Sequence, residues 1–196
     1  FPDGLANTSG FVGQNLMFNG HSSVTGLFDA PVNAWKSVPT TRVVHDFYEL
    51  NPNLGFYGGG GIDGRHPTRG VPLGFGLVSG QIFDGASWGV DYKNNLAYEF
   101  SHVAAFDGHT TSLPLGSNNV TLDPTYKDKF GRPAIRCTYM DHEDDLATMK
   151  WFLNKSTELM EAAGAIKIAG TYPETGQEGN VHLLGTCRMG DDPNTS

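Results

Sequence analysis

Short apolar runs broken by turn residues fill the first half of the chain. Between residues 21 and 57, Val24, Leu27, Phe28, Trp35, Val43, Val44, Phe47 and Tyr48 alternate weakly with polar positions, and Pro31, Pro39 and Pro52 interrupt them. That pattern predicts short antiparallel strands. From Pro72 to Val78 apolar residues alternate with glycine, as in a strand with close backbone neighbours. Further strands are expected near Tyr98–Phe106 and Asn119–Leu122. The stretch from Asp123 to Pro133, rich in Asp, Gly and Pro, predicts a turn, with a return strand through Ile135, Cys137 and Tyr139. The clearest helix is expected from about Glu143 to Ala163. There Leu146, Met149, Leu153, Met160 and Ala163 share a face at helical spacing, with Phe152 and Leu159 beside them. Glu143, Asp144 and Asp145 suit the positive end of its dipole, and Gly164 suits the stop. Neither repeats nor a parallel β-α-β alternation is visible, so the expected class is α+β, a mainly antiparallel sheet backed by helices.

Composition narrows the classes. In 196 residues, 13 Lys and Arg against 21 Asp and Glu give a net charge of −8, which argues against nucleic acid as a partner. At 38% hydrophobic and 17% charged residues the chain is too apolar for disorder. No apolar run reaches the 18 or so residues of a spanning helix. Cys137 and Cys187 form no CxxC pair, and a bridge between them is possible without being the default. The chain opens on Phe1 with neither a basic start nor an apolar run, so no signal peptide is read there; a processed or excised piece is expected, and localisation stays open.

Glycine is in excess, with 26 residues. Gly59-Gly60-Gly61-Ile62-Asp63-Gly64 formally matches G-x-G-x-x-G, the dinucleotide-binding fingerprint. That site needs a helix to begin at the glycines so that its amide end holds the pyrophosphate. Pro67 and Pro72, with Gly70 between them, oppose such a helix. The segment therefore reads as a flexible or tightly turning loop, and the chain has no recognisable phosphate cradle of its own.

The seven histidines show no HExxH or comparable metal-ligand spacing, so no metal site is assigned. His142, inside Asp141-His142-Glu143-Asp144-Asp145, could suggest a metal-dependent hydrolase, but a solvated helix start accounts for it better. Exposed aromatics such as Trp35, Tyr57 and Trp88 leave a non-enzymatic carbohydrate-binding module as an alternative.

His182 stands apart because of its neighbours in the chain. Val181-His182-Leu183-Leu184-Gly185-Thr186-Cys187-Arg188-Met189-Gly190 resembles the H-x-x-G-T-x-R-M-G motif of the glucose-methanol-choline (GMC) family of flavin oxidoreductases at every defined position. Val12-Gly13-Gln14-Asn15-Leu16-Met17 is similar to that family's V-G-x-N-L segment. Asn119–Pro124, with Lys127-Asp128 and Gly131-Arg132-Pro133, is similar to its strand and hairpin before a long helix. The resemblance runs from Val12 to Gly190. One departure is Asn19, where family members often carry His; His21 lies two positions on.

The resemblance implies an FAD-dependent enzyme that oxidises the CH–OH group of an alcohol or sugar by hydride transfer to the flavin. His182 would take the hydroxyl proton, a task suited to an imidazole neutral near pH 7. Asn15, Thr186 and Met189 would face the flavin. Residues 1–20 would end a flavin-domain segment, 21–178 form the substrate-binding domain, and 179–196 begin the C-terminal catalytic segment. The implied partners are the alcohol or sugar substrate and the remaining flavin-binding part of the same enzyme. A second catalytic His or Asn would lie beyond Ser196.

Overall fold

The structure, a computed structural model, describes residues 4–40, 42–49, 51–83, 85–174 and 182–196. Val181 and the expected boundary at 178/179 lie outside the described residues. Two compact units emerge: one from the chain up to Asn19, Ser112–Leu146 and the residues from Glu174 on, the other from Gly20–Thr111 and Ala147–Pro173.

The second unit is built on a five-stranded sheet. Its strands are β1 (Gly20–Leu27), β2 (Arg42–Val44), β3 (Gly60–Arg65), β4 (Val103–Thr110) and, last in the chain, β7 (Lys167–Thr171), in the spatial order β2-β3-β4-β1-β7. Every neighbouring pair is antiparallel. Helices α1 (Pro72–Ile82), α2 (Gly89–His102) and α3 (Glu143–Ala162) back it. The architecture is the α+β class expected from the sequence.

The body of α3 covers one face of the sheet. Met149, Phe152 and Met160 are fully buried there, and the sheet receives them because it carries glycines. A Cβ added at Gly60 would come 3.0 Å from the Phe152 ring, and one at Gly108 would come 2.9 Å from Phe152 Cβ. At Gly170 it would lie 2.9 Å from Leu153, and at Gly20 3.1 Å from Met149. At Gly26 the sulfur of Met160 already occupies the space. These glycines form a floor, and much of the glycine excess is a packing device.

On the opposite face α1 covers one end. Phe75 packs on Leu27 and Val103, with Ile82, Leu96 and Phe100 around them. His66 is buried beside this cluster, with Nε2 3.1 Å from the Phe100 carbonyl while Nδ1 accepts from the amides of Thr68 and Gly70. The proton therefore sits on Nε2, and burial holds the imidazole below its usual pKa. His66 is a structural histidine.

The first unit contains the hairpin of β5 (Asn119–Lys127) and β6 (Pro133–Thr138). Asp128 Oδ1 accepts from the amides of Phe130 and Arg132, and Gly131 takes φ 81° to close the turn. Asp123 Oδ1 accepts from the amides of Thr125 and Tyr126, where the register shifts between Leu122 and Lys127.

Three expectations need correction. Pro72–Val78 is the start of helix α1 and not a strand: Phe75 and Ser79, four apart, are buried, a helical spacing hidden by the alternating glycines. Gly76 leaves room for the Tyr92 hydroxyl, which donates to its carbonyl. Second, the strand placed at Tyr98–Phe106 is helix as far as His102 and strand only from Val103. Third, the glycine-rich centre is no loop at Gly60–Arg65 but an interior strand, β3. At Gly60 an added Cβ would sit 2.1 Å from the His109 carbonyl, so only glycine lets β4 approach.

The helix Glu143–Ala162 and its stop at Gly164, with φ 88°, agree with the sequence reading. Its first turn is less solvated than expected. Asp145 is 3% exposed and caps, Oδ1 accepting from the Leu113 amide and Oδ2 from the His142 amide. Burial raises its carboxyl above the ordinary range despite those bonds. His142 Nδ1 accepts from the Asp144 amide, so the imidazole is part of the same cap. Among the described residues no helix is long and apolar enough to cross a membrane.

Candidate functional site

Two sequence-distant segments meet in the first unit. Gly13 N donates to the Thr186 carbonyl at 2.9 Å, and Met17 and Leu184 exchange both backbone hydrogen bonds. On the other side of the same segment Val120 N donates to the Gly13 carbonyl and Leu16 N to the Asn118 carbonyl. Residues 13–17 are therefore sandwiched between 184–186 and 118–120, with Leu16 buried at their centre. Glycine is required at both joints. A Cβ at Gly13 (φ 87°) would meet the Val120 carbonyl at 2.4 Å, and one at Gly185 (φ 95°) would meet the Asn15 carbonyl at 2.0 Å.

The structure thus brings the backbones around Asn15 and Thr186 together. Asn15 and His182 both adopt left-handed backbone, at φ 57° and 62°. Such conformations cost free energy in non-glycine residues and concentrate at functional sites. His182 and Met189 are exposed in this unit, Met189 at 94%. Between Thr186 and Met189 the chain is anchored by Arg188, whose guanidinium lies 4.6 Å from the Phe11 ring centre. The thiols of Cys137 and Cys187 are free and exposed.

The second unit presents a polar sheet face that the sequence reading did not single out. Beyond the apolar end at Leu27 and Val103, this face carries Asp63 and Arg65 on β3, Asp107 and His109 on β4, and His21, Ser23 and Thr25 on β1. Arg65 pairs with Asp107 and lies 4.0 Å from Asp63. His109 Nε2 stands 3.3 Å from Asp63 Oδ1, and Thr40 donates to Asp63 Oδ2 at 2.9 Å. Burial alone would raise the Asp63 carboxyl, but His109, Thr40 and the Arg65 charge outweigh it and hold it below the ordinary range. His21 meets His109 edge to face, ring centres 4.3 Å apart. Next to this cluster a cavity of about 500 Å³ opens over Ser23, Thr25, Thr171, Thr68, Val78 and Ile82. The signal available in the sequence was the alternation Asp63-Gly64-Arg65 and Asp107-Gly108-His109, each placing two polar side chains on one face of a strand.

Neither unit offers a phosphate cradle in the G-x-G-x-x-G segment. Gly60–Arg65 is strand rather than helix start, and the space at Gly60 is filled by the His109 carbonyl and Phe152. These residues do not fit the pyrophosphate of a dinucleotide. The aromatics expected to suit carbohydrate stacking, Trp35, Tyr57 and Trp88, are all exposed, and Trp35 leans on Phe100 at 5.6 Å.

Residues 114–196 match the family model described as GMC oxidoreductase. Over that stretch the chain is similar to the GMC oxidoreductases. Across its whole length the chain is 30% identical to 2-methyl-1,2-propanediol dehydrogenase of Mycolicibacterium austroafricanum, covering 35% of that protein. It is 28% identical over 95% of its length to the gluconate 2-dehydrogenase flavoprotein of Pantoea cypripedii, covering 32% of it. It is 30% identical throughout to paromamine 6'-oxidase of Streptomyces fradiae, again covering 32%. The chain spans about a third of the length of these curated relatives.

Proposed function

We propose that this chain is the substrate-binding portion, with the start of the C-terminal catalytic segment, of an FAD-dependent enzyme that oxidises the CH–OH group of an alcohol or sugar. The observation that carries this reading is the pairing of the Gly185-Thr186 segment, just after His182, with the Gly13–Met17 segment. Two motifs set far apart in the sequence are one backbone assembly. The names of the relatives, dehydrogenases and an oxidase acting on a diol, gluconate and an amino sugar, point the same way.

In this reading FAD is the electron acceptor and is held by parts of the enzyme outside this sequence, since the glycine-rich segment offers no place for its phosphates. His182 takes the hydroxyl proton. A neutral imidazole does this near pH 7 with little tuning. Its left-handed backbone, two residues before the Leu184 bridge, sets the direction in which the ring leaves the chain. Asn15, Thr186 and Met189 face the flavin region, and residues 21–178 supply the substrate side.

His182→Ala in the full-length enzyme should lower turnover by roughly 10²–10⁴-fold, measured with an alcohol or sugar substrate and an artificial electron acceptor. Turnover within a factor of a few of wild type would overturn the assignment. The isolated chain should bind no stoichiometric FAD, and yellow protein after reconstitution and gel filtration would contradict that.

A further inference from the structure

The cavity on the polar face of the five-stranded sheet is left unused by the reading above. All its described lining residues belong to the unit of Gly20–Thr111 and Ala147–Pro173, so it lies within one compact body. Strand register explains why a space opens there. Across β4, β1 and β7 the successive rows on this face are Val103 and Leu27, then Ala105, Thr25 and Ala169, then Asp107, Ser23 and Thr171. The large side chains of the first row pack on Phe75 of α1. In the second row they shrink to two alanines and a threonine, and the close packing under α1 ends. Val78 and Ile82, four residues apart on α1, line the space together with Pro67. Its volume of about 500 Å³ falls in the range of pockets that hold small organic ligands.

The two sides of this cavity differ in chemistry. Val78, Ile82 and Pro67 are hydrocarbon, whereas the sheet contributes the hydroxyls of Ser23, Thr25 and Thr171. Among the described residues none is a hydrogen-bond partner of these three hydroxyls, although Thr25 is only 7% exposed. A buried hydroxyl without a partner costs free energy, and a valine would fill the same volume without that cost. Thr68, by contrast, is committed, its hydroxyl donating to the Val71 carbonyl. None of the described lining residues is charged. Ser23 and Thr171 are cross-strand partners, which sets their Cβ atoms about 5 Å apart. Thr25 lies one two-residue step along β1, about 7 Å away. Two ligand oxygens, each about 2.8 Å from a protein hydroxyl, bridge a step of that size.

We propose that this cavity binds a small uncharged vicinal diol, with one hydroxyl at Ser23 and Thr171, the other at Thr25, and its hydrocarbon against Val78 and Ile82. The site goes beyond the functional reading above, since binding there needs neither the flavin nor His182.

The test uses the full-length protein, with pinacol (2,3-dimethylbutane-2,3-diol) as the probe and calorimetry as the readout. Neither carbinol carbon of pinacol carries a hydrogen, so it has no hydride to give and its binding is read without turnover. The comparison is 2,3-dimethyl-2-butanol, which has one hydroxyl fewer. Wild type should bind pinacol about tenfold more tightly than the mono-alcohol. Thr25→Val should weaken pinacol about tenfold and leave the mono-alcohol nearly unchanged, erasing the difference, while the melting temperature holds or rises. Ala169→Leu, which puts a side chain into the space, should abolish binding of both. If Ala169→Leu fails to fold, Thr25→Val decides. Pinacol that gives no binding heat with wild type, or binds Thr25→Val as tightly, would overturn the inference. A melting temperature lowered by Thr25→Val would make its hydroxyl structural and overturn it too. Alcohols oxidised by an enzyme that binds no pinacol would sink this inference and leave the functional reading standing. Pinacol bound through Thr25 in a protein that oxidises no alcohol would do the reverse.

Discussion

The two faces of the five-stranded sheet use the same strands in opposite ways. Under α3 the sheet removes side chains: Gly20, Gly26, Gly60, Gly108 and Gly170 leave room for Met149, Phe152, Leu153 and Met160. On the other face the residues one step along the same strands are Asp63, Arg65, Asp107, His109 and His21. The first arrangement gains stability from apolar burial and close packing. The second gains little, because burying charged groups costs about as much as their pairing returns. A sheet that gives up side chains on one side to seat a helix, and keeps costly polar groups on the other, draws its stability unequally from its two faces.

Breaking the apolar face should have the largest effect. Phe152→Ala removes a fully buried ring that sits on two glycines, and should destabilise the fold by about 3–5 kcal/mol in denaturant unfolding. Asp107→Ala should cost about 3 kcal/mol, near the low end for a broken buried pair, because Asp63 remains within 4.0 Å of Arg65. Replacing both partners, Arg65→Met with Asp107→Leu, should restore most of that loss. Such a result would show that the pair itself is no net source of stability.

The glycine floor can be tested by what fills it. Gly108→Ala places a methyl 2.6 Å from Ser22 Oγ and 2.9 Å from Phe152 Cβ, and should cost about 2 kcal/mol. Gly164→Ala meets nothing within 4 Å and should cost only the left-handed strain, about 1 kcal/mol. Equal costs would mean that the floor does not matter.

The smallest expected effect is a slope. The Asp63 carboxyl is held below its ordinary value of 3.8. The folded state therefore sheds this proton before the unfolded state does. Asp63 adds stability above that value and loses the contribution as pH falls through its lower folded-state pKa. Denaturant melts at a series of acid pH values should show a flatter decline for Asp63→Asn than for wild type below about pH 4. Parallel curves would remove the Asp63 carboxylate from the ledger of the polar face.

Much of this fold was legible in the sequence, and the failures have physical causes. Helix α3 is readable because its apolar residues repeat at helical spacing between an acidic start and Gly164. Even so, the buried stripe includes Asp145, Thr148 and Ser156, which hydropathy alone reads as outward. The hairpin is readable because Asp128 and Gly131 build its turn from local chemistry. Strand β3 is not readable, because its glycines are explained only by the carbonyl of His109 and the ring of Phe152, both far away in sequence. Helix α1 is hidden for a related reason: Gly74 and Gly76 alternate with apolar residues, and only the burial of Phe75 and Ser79 shows the true period. Of the candidate site residues, His182 and Thr186 were visible through their motif. The cluster of Asp63, Arg65, Asp107 and His109 was not, since it exists only once β3 and β4 are in register.

The sandwich of residues 13–17 between 118–120 and 184–186 also bears on how the chain is made. During synthesis Gly13 leaves the ribosome long before Thr186 does. At cellular elongation rates the delay is on the order of ten seconds or more. For that interval the edge of the 13–17 segment destined for residues 184–186 has to stay unpaired, so this closure comes late in the making of the 13–186 stretch. A chain released before Thr186 would lack both the motif and this contact, and quality-control proteases could recognise it by that open edge.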